Sequence, residues 1–254
     1  MDDLLRLLPP IRRMRGNRLY AADGRRFLDL WLDDGRGILG DGDRHTRTYA
    51  ANAADKGLTR PYPGLYDARF VKAVREAWPG FSTVKVFASE ERAKAAAGPA
   101  PLAIARPFTF LPADCDLAMP RLPCPRPYAP WCLIARDNTE AAAALGVETG
   151  DLVPPQSLYA AARGLASLES AVRDGYGEEL WSRFDKRLGT WFRRSGPYLT
   201  PRIPPERHEE FFKAALEGGA LVSPRLDTPS IVPPDFDDGE LAKLARALGK
   251  AFGL

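Results

Sequence analysis

The sequence predicts an α/β chain in which a larger N-terminal α/β part is joined, through a proline-rich stretch, to a small α+β tail. Three observations predict it. A helix, strand, helix order runs from residue 67 to residue 97. Prolines 99, 101, 107, 112, 120, 123, 125, 127, 130, 154 and 155 then break almost every possible long helix between Gly98 and Pro155. From Ser157 onward, amphipathic helices alternate with short strands up to Phe252. The expected division places an N-terminal segment and a reduced large domain with its connector in residues 1–154, and a small α+β domain in 155–254.

Element by element, Asp2 to Leu8 reads as a short amphipathic helix stopped by Pro9-Pro10. The Asp23-Gly24 step lies between two segments rich in aliphatic and aromatic residues, a hairpin signal with Leu19 and Phe27 on the core side. Phe70, Val71, Val74 and Ala77 recur at helical spacing within Asp67 to Trp78, and Pro79-Gly80 ends that helix. Thr83 to Phe87 follows as a short buried strand, and Ser89 before Glu90 and Glu91 marks the next helix start. In the proline-rich stretch, Leu102 to Ala105 and Trp131 to Ala135 are short strands, and Pro120 to Pro130 reads as an extended connector.

The tail predicts helices over Ser157 to Arg173 and Gly177 to Arg194, the second with Leu180, Trp181, Phe184, Leu188, Trp191 and Phe192 near one face. A strand at Tyr198 to Ile203, a helix at Glu206 to Glu217, a strand at Ala220 to Ser223 and a terminal helix at Gly239 to Phe252 complete it.

Composition narrows the function classes. Hydrophobic residues at 45% and charged residues at 27% exclude a disordered or collagen-like chain. An excess of 36 basic over 33 acidic residues is too small and too dispersed to argue for a nucleic-acid or membrane partner. No apolar run has the length of a signal peptide core or a membrane span, so a cytoplasmic, soluble protein is expected. Cys115, Cys124 and Cys132 match neither a zinc knuckle nor a disulfide framework and read as reduced thiols; no metal site is expected. A cysteine nucleophile would need His45 or His208 beside it, and no spacing favours either pairing. Asp33-Asp34 and Asp237-Asp238 read as a turn and a helix cap rather than as acid/base pairs.

Three separated segments carry a family resemblance. Gly16-Asn17-Arg18-Leu19-Tyr20 through Asp23-Gly24, Phe27-Leu28-Asp29 and Gly37-Ile38-Leu39-Gly40 form the first. Phe70 through Trp78-Pro79-Gly80 to Val84-Lys85-Val86-Phe87-Ala88-Ser89-Glu90-Glu91 form the second. The third is Phe211 through Gly218-Gly219 to Ser223-Pro224, followed by Asp238 to Phe252. In this order they resemble the class III aminotransferases, the pyridoxal-phosphate (PLP) family that includes glutamate-1-semialdehyde aminomutase. The resemblance implies a truncated PLP-dependent-transferase-like (fold type I) large domain with a small α+β C-terminal domain, and a homodimer.

The resemblance also exposes departures. In the family, the loop matched by Ser89 and Glu90 holds the cofactor phosphate on backbone amides, so Glu90 puts a carboxylate where a dianion should bind. The family needs a lysine for the Schiff base, an aspartate on the pyridine nitrogen and an aromatic residue on the ring. Only 62 residues separate Arg92 from Pro155, and Lys94 is the one lysine among them. None of Lys56, Lys72, Lys85, Lys186, Lys213, Lys243 and Lys250 falls where the Schiff base is expected. Arg106-Pro107-Phe108 stands where an aromatic-histidine pair is expected, and Asp114 or Asp116 would be the pyridine partner only if a lysine followed.

The expected function is therefore a degenerate, PLP-free pseudoenzyme acting as a binding or assembly module, with no catalytic residues and no cofactor. Two alternatives stay open. One is an aminotransferase or aminomutase activity, with PLP, completed by a full-length paralogue in a hetero-oligomer. The other is non-covalent binding of a small anionic metabolite, for which Arg225 is the candidate contact, with a solvated arginine as the competing reading.

Overall fold

The structure is a computed structural model that describes residues 3–40 and 44–253, with only the backbone for 44–47. A 3-10 turn at Asp3–Leu7 replaces the expected first helix. Strands β1 (Ile11–Arg15), β2 (Arg18–Ala21) and β3 (Arg26–Asp29) follow, with Gly24 supplying the positive φ of the hairpin turn. Next come α1 (Arg44–Asp55), α2 (Leu65–Ala77), β4 (Thr83–Phe87) and α3 (Glu90–Ala97). The proline-rich stretch contains β5 (Ala103–Ala105), β6 (Leu117–Pro120), β7 (Trp131–Ala135) and α4 (Glu140–Val147). The remainder is α5 (Pro155–Arg173), α6 (Glu178–Leu188), β8 (Phe192–Ser195), β9 (Tyr198–Pro201), α7 (His208–Glu217), β10 (Ala220–Leu221), β11 (Ser230–Ile231) and α8 (Asp238–Phe252).

The chain folds into two compact units, one of Met1–Asp43 with Ser170–Leu254 and the other of Arg44–Glu169. This grouping differs from the expected division at residue 155. The physical reason is a parallel pairing of β10 with β3, Ala220 opposite Leu28 and Leu221 opposite Asp29, which ties the N-terminal hairpin to the tail.

In the unit of residues 44–169 the sheet order is β4-β7-β6-β5. β5 and β6 run parallel, while β7 is antiparallel to both β6 and β4. Side chains alternate across the sheet as the pleat requires. Cys132 and Ile134 face one apolar cluster with Phe70 and Val74 of α2 and Leu158 and Leu165 of α5. Leu133 and Ala135 face the other, with Ala93 of α3 and Leu145 of α4. Helices therefore cover both faces, the layering typical of α/β sheets.

Pro120 to Pro130 is not the extended connector that its composition suggests, because Leu122 and Cys124 are fully buried in the first cluster. Gly164 lets α5 lie directly on this segment: a Cβ there would meet the Pro123 carbonyl oxygen at 2.3 Å.

In the other unit the sheet β1-β2-β3-β10 accompanies a three-stranded sheet, β11-β9-β8. Phe192 of β8 packs edge-to-face on Phe184 of α6 and on Phe211 of α7, and Phe252 of α8 packs on Trp191 and Phe211. The expected helix Gly177 to Arg194 is shorter than predicted: α6 stops at Leu188 and the chain turns into β8. Trp191 and Phe192 are buried, as their helical spacing suggested, but Trp191 reaches the core from the turn before β8 and Phe192 from its first residue.

Candidate functional site: the loop between β4 and α3

The second segment of the resemblance folds as a strand, a turn and a helix start. Ser89 is the N-cap of α3, in extended conformation, and its Oγ accepts the Arg92 N–H at 3.2 Å. Glu90 and Glu91 occupy the first turn, where the helix dipole favours carboxylates. Glu90 is also ion-paired to Lys94 at 2.9 Å. The Glu91 carboxyl is held below the usual range, first by its own backbone amide and then by the Ser89 hydroxyl.

The loop has a ligand supplied by the chain itself. The Asp151 carboxylate accepts the Ala88 N–H at 3.1 Å and is gripped by the Arg92 guanidinium, with NH2 to Oδ1 at 3.0 Å and Nε to Oδ2 at 3.3 Å. Glu148 lies 4.0 Å from the same guanidinium. The approach is fixed by backbone: Asp151 N–H donates to the Val86 carbonyl at 2.8 Å, and Gly150 has φ +73° with room for no Cβ, which would meet Val86 O at 2.9 Å. The sequence reading missed Asp151, because its partners lie 59 and 63 residues away.

Arg92, and then the Ala88 amide, hold the Asp151 carboxyl below the ordinary aspartate value of 3.8. A carboxyl depressed by folding contributes stability that is present above its unfolded value and is lost as pH falls through its folded value. Acid unfolding of the wild-type chain should therefore include a component below the ordinary aspartate value that Asp151→Asn lacks. Identical acid limbs for the two proteins would show that the pair is too solvated to matter.

These residues do not fit a phosphate. The Ala88 amide and the Arg92 guanidinium are engaged by Asp151, and Glu90, Glu91 and Glu148 place further negative charge around the same helix start. No lysine is buried, as a Schiff-base residue in an enclosed cofactor site would be. Seven of the eight are exposed, and Lys85 in β4 is half-buried. Asp114 and Asp116 are both exposed, and the nearest cation to Asp116 is Arg136 at 3.9 Å. Arg106 is buried, and Phe108 takes a left-handed φ of +64°.

Other expected groups fall elsewhere. Arg225 is exposed and engages Asp227 in its own turn, Nε to Oδ1 at 2.8 Å with NH2 on Oδ2, so its fork is already occupied by a carboxylate. His208 opens α7 with both ring nitrogens buried. Burial lowers its proton affinity, against a weaker pull from the backbone of Pro224 and Ser223. The side chain of His45 lies outside the described residues. Cys115 is half-buried, with its thiol pushed up by burial, and Cys124 and Cys132 are buried and form no disulfide. Asp237 caps α8, and Asp33 and Asp34 lie in a left-handed turn with φ of 49° and 60°. Among the described residues no group of three or more His, Cys, Asp or Glu side chains could hold a metal, and no helix is long and apolar enough to cross a membrane.

Comparison with solved structures decides the architecture. An omega-transaminase from Sphaerobacter thermophilus matches with a TM-score of 0.71 over 96% of this chain and 92% of that one, at 12% identity. The ornithine aminotransferase of Plasmodium yoelii matches with a TM-score of 0.67 over 97% and 95%, at 11% identity. The fold is that of the PLP-dependent aminotransferases. A β-phenylalanine aminotransferase from Variovorax paradoxus shares this aminotransferase-like fold, with a TM-score of 0.65 over 99% of this chain and 92% of that one at 14% identity. No family model matches the sequence. Two relatives are similar along nearly their whole length, both described only as uncharacterized proteins. The one from Treponema pallidum is 26% identical and covers 91% of each chain; the one from Borreliella burgdorferi is 26% identical and covers 96% of this chain and 93% of its own.

Proposed function

We propose that this chain is an aminotransferase-fold protein that carries no PLP and works as a binding or assembly module, a pseudoenzyme whose truncated large domain has lost the cofactor site. The observation that carries the reading is the Asp151 carboxylate on the Ala88 amide and the Arg92 guanidinium, an internal anion at the loop that would otherwise face a phosphate. The exposure of seven lysines and the half-burial of the eighth support it, since a Schiff-base lysine works from an enclosed site. A homodimer belongs to the same reading, and its mass in light scattering tests that part separately.

The test of the cofactor is an absorbance scan of the purified protein with and without added PLP, followed by borohydride reduction and mass analysis. The expected result is no aldimine band and no stoichiometric adduct. One equivalent of adduct on a single lysine would overturn the reading and name the residue that carries the chemistry.

A further inference from the structure

Strand β1 is exposed along its whole length, Ile11, Arg12, Arg13, Met14 and Arg15 alike. Among the described residues it is the terminal strand of its sheet and pairs with β2 alone, so its outer side presents backbone donors and acceptors that no described strand satisfies. The charges on it are also unmatched. Elsewhere in the sheet Arg18 holds Glu240 and Asp235, Arg25 holds Asp23, and Arg26 reaches Glu240. Among the described residues, Arg12 and Arg15 have no such partner, and Arg13 has only the face of Tyr20, 4.5 Å from the ring centroid. Met14 is 54% exposed beside them, opposite buried Leu19.

We infer that β1 is a docking edge for an acidic, extended segment of a partner protein. The segment adds to the sheet as a further strand outside β1 and sets its carboxylates against Arg12, Arg13 and Arg15. A polypeptide strand is the one occupant that answers both features, the open hydrogen-bonding edge and the unpaired arginines. A nucleic acid or an anionic membrane offers charge without a ladder, and the chain's overall charge of +3 provides no wider basic field for either. A second copy is disfavoured, because pairing β1 with another β1 would bring two sets of three arginines together. The surface lies apart from the loop after β4 in sequence, and its test does not depend on whether the protein carries PLP.

The experiment is fluorescence polarisation of the full chain with a labelled short peptide of alternating Glu and Val. It is repeated with the same peptide methylated on alternate backbone amides, with phosphatidylserine vesicles and with a single-stranded oligonucleotide. The wild-type chain is expected to bind the unmodified peptide more tightly at low salt than at high salt. The triple variant Arg12→Glu, Arg13→Glu, Arg15→Glu should weaken binding about tenfold or more, as expected for the loss of three exposed ion pairs. Backbone methylation should weaken it as well, since it removes the ladder and leaves the charge. An unchanged melting temperature for the triple variant separates lost docking from lost folding. Absence of peptide binding, equal binding of the two peptides, undiminished binding by the triple variant, or tighter binding of vesicles or oligonucleotide would each overturn the inference.

Discussion

Gly164→Ala is expected to destabilise the unit of residues 44–169, against the intrinsic preference of the helix that contains it. Alanine in a helix interior is favoured over glycine by about 1 kcal/mol. The added methyl, however, would lie 2.3 Å from the Pro123 carbonyl oxygen and 3.7 Å from Cys124 Cβ. The oxygen belongs to the backbone and cannot rotate aside, so α5 must lift away from a segment whose Leu122 and Cys124 are fully buried. Overpacking of this kind costs about 1–3 kcal/mol, and more where the obstacle is rigid, which leaves a net loss of about 2 kcal/mol after the helix gain. Gly146 in α4 supplies the control, since a Cβ there meets nothing within 4 Å and Gly146→Ala should raise stability by up to about 1 kcal/mol. Urea unfolding of the two variants should move in opposite directions. Stabilisation by both would mean that α5 does not rest on the Pro123 carbonyl.

Local chemistry made several elements legible in the sequence. The hairpin of β2 and β3 was marked by Asp23-Gly24, because a tight turn needs the positive φ that Gly24 adopts. The start of α3 was marked by Ser89, whose hydroxyl accepts the amide three residues on. What escaped the sequence depends on distant partners. β1 carries three arginines and lacks the apolar alternation of a half-buried strand, so only its register with β2 reveals it. β6 ends at Pro120 opposite Ala105, at the strand terminus where a missing amide donor is tolerated, so the proline did not exclude a strand there. Trp191 and Phe192 continued the apolar spacing of α6 although the chain had already turned into β8, a change dictated by pairing with β9.

The candidate site was half legible. Ser89 and Glu90 were identified from their place between a strand and a helix, and the structure gives both the expected local geometry. Asp151 was not, because a carboxylate following glycine carries no local sign of the backbone it will meet. That Asp151 faces the Ala88 amide depends on Gly150 lying against Val86, a contact across 64 positions of the chain that only the folded sheet creates. Arg225 was singled out because its residue type suits an anion, and Asp227 two positions later engages its guanidinium.

Glu240→Ala should be the costliest change at the junction of the N-terminal sheet with α8. Its two oxygens take Nε and NH2 of Arg18, each at 2.8 Å, and Oε1 also lies 3.3 Å from Arg26. The same carboxylate accepts the Asp237 N–H at 3.1 Å while Asp237 accepts the Glu240 N–H at 2.8 Å, so it completes the capping box of α8. The side chains of Arg18 and Glu240 are only 14% and 10% exposed, which limits screening by water and salt. The Arg18 guanidinium is accordingly held more firmly protonated, chiefly by its hydrogen bonds to Glu240. Removing one member of a buried pair costs about 3–5 kcal/mol; with Asp235 still beside Arg18, a loss of about 2–3 kcal/mol is expected for Glu240→Ala. Glu240→Gln keeps a neutral oxygen that can still accept from the cap amide or from Arg18 and loses the charge, so the difference between the two variants separates these neutral hydrogen bonds from the charge. A double-mutant cycle with Arg18→Ala should return a coupling of about 1–3 kcal/mol, since the two side chains are in direct contact. A coupling below about 0.5 kcal/mol, the usual size for a solvated pair, would mean that water reaches these charges and that α8 is held to the sheet by apolar packing alone.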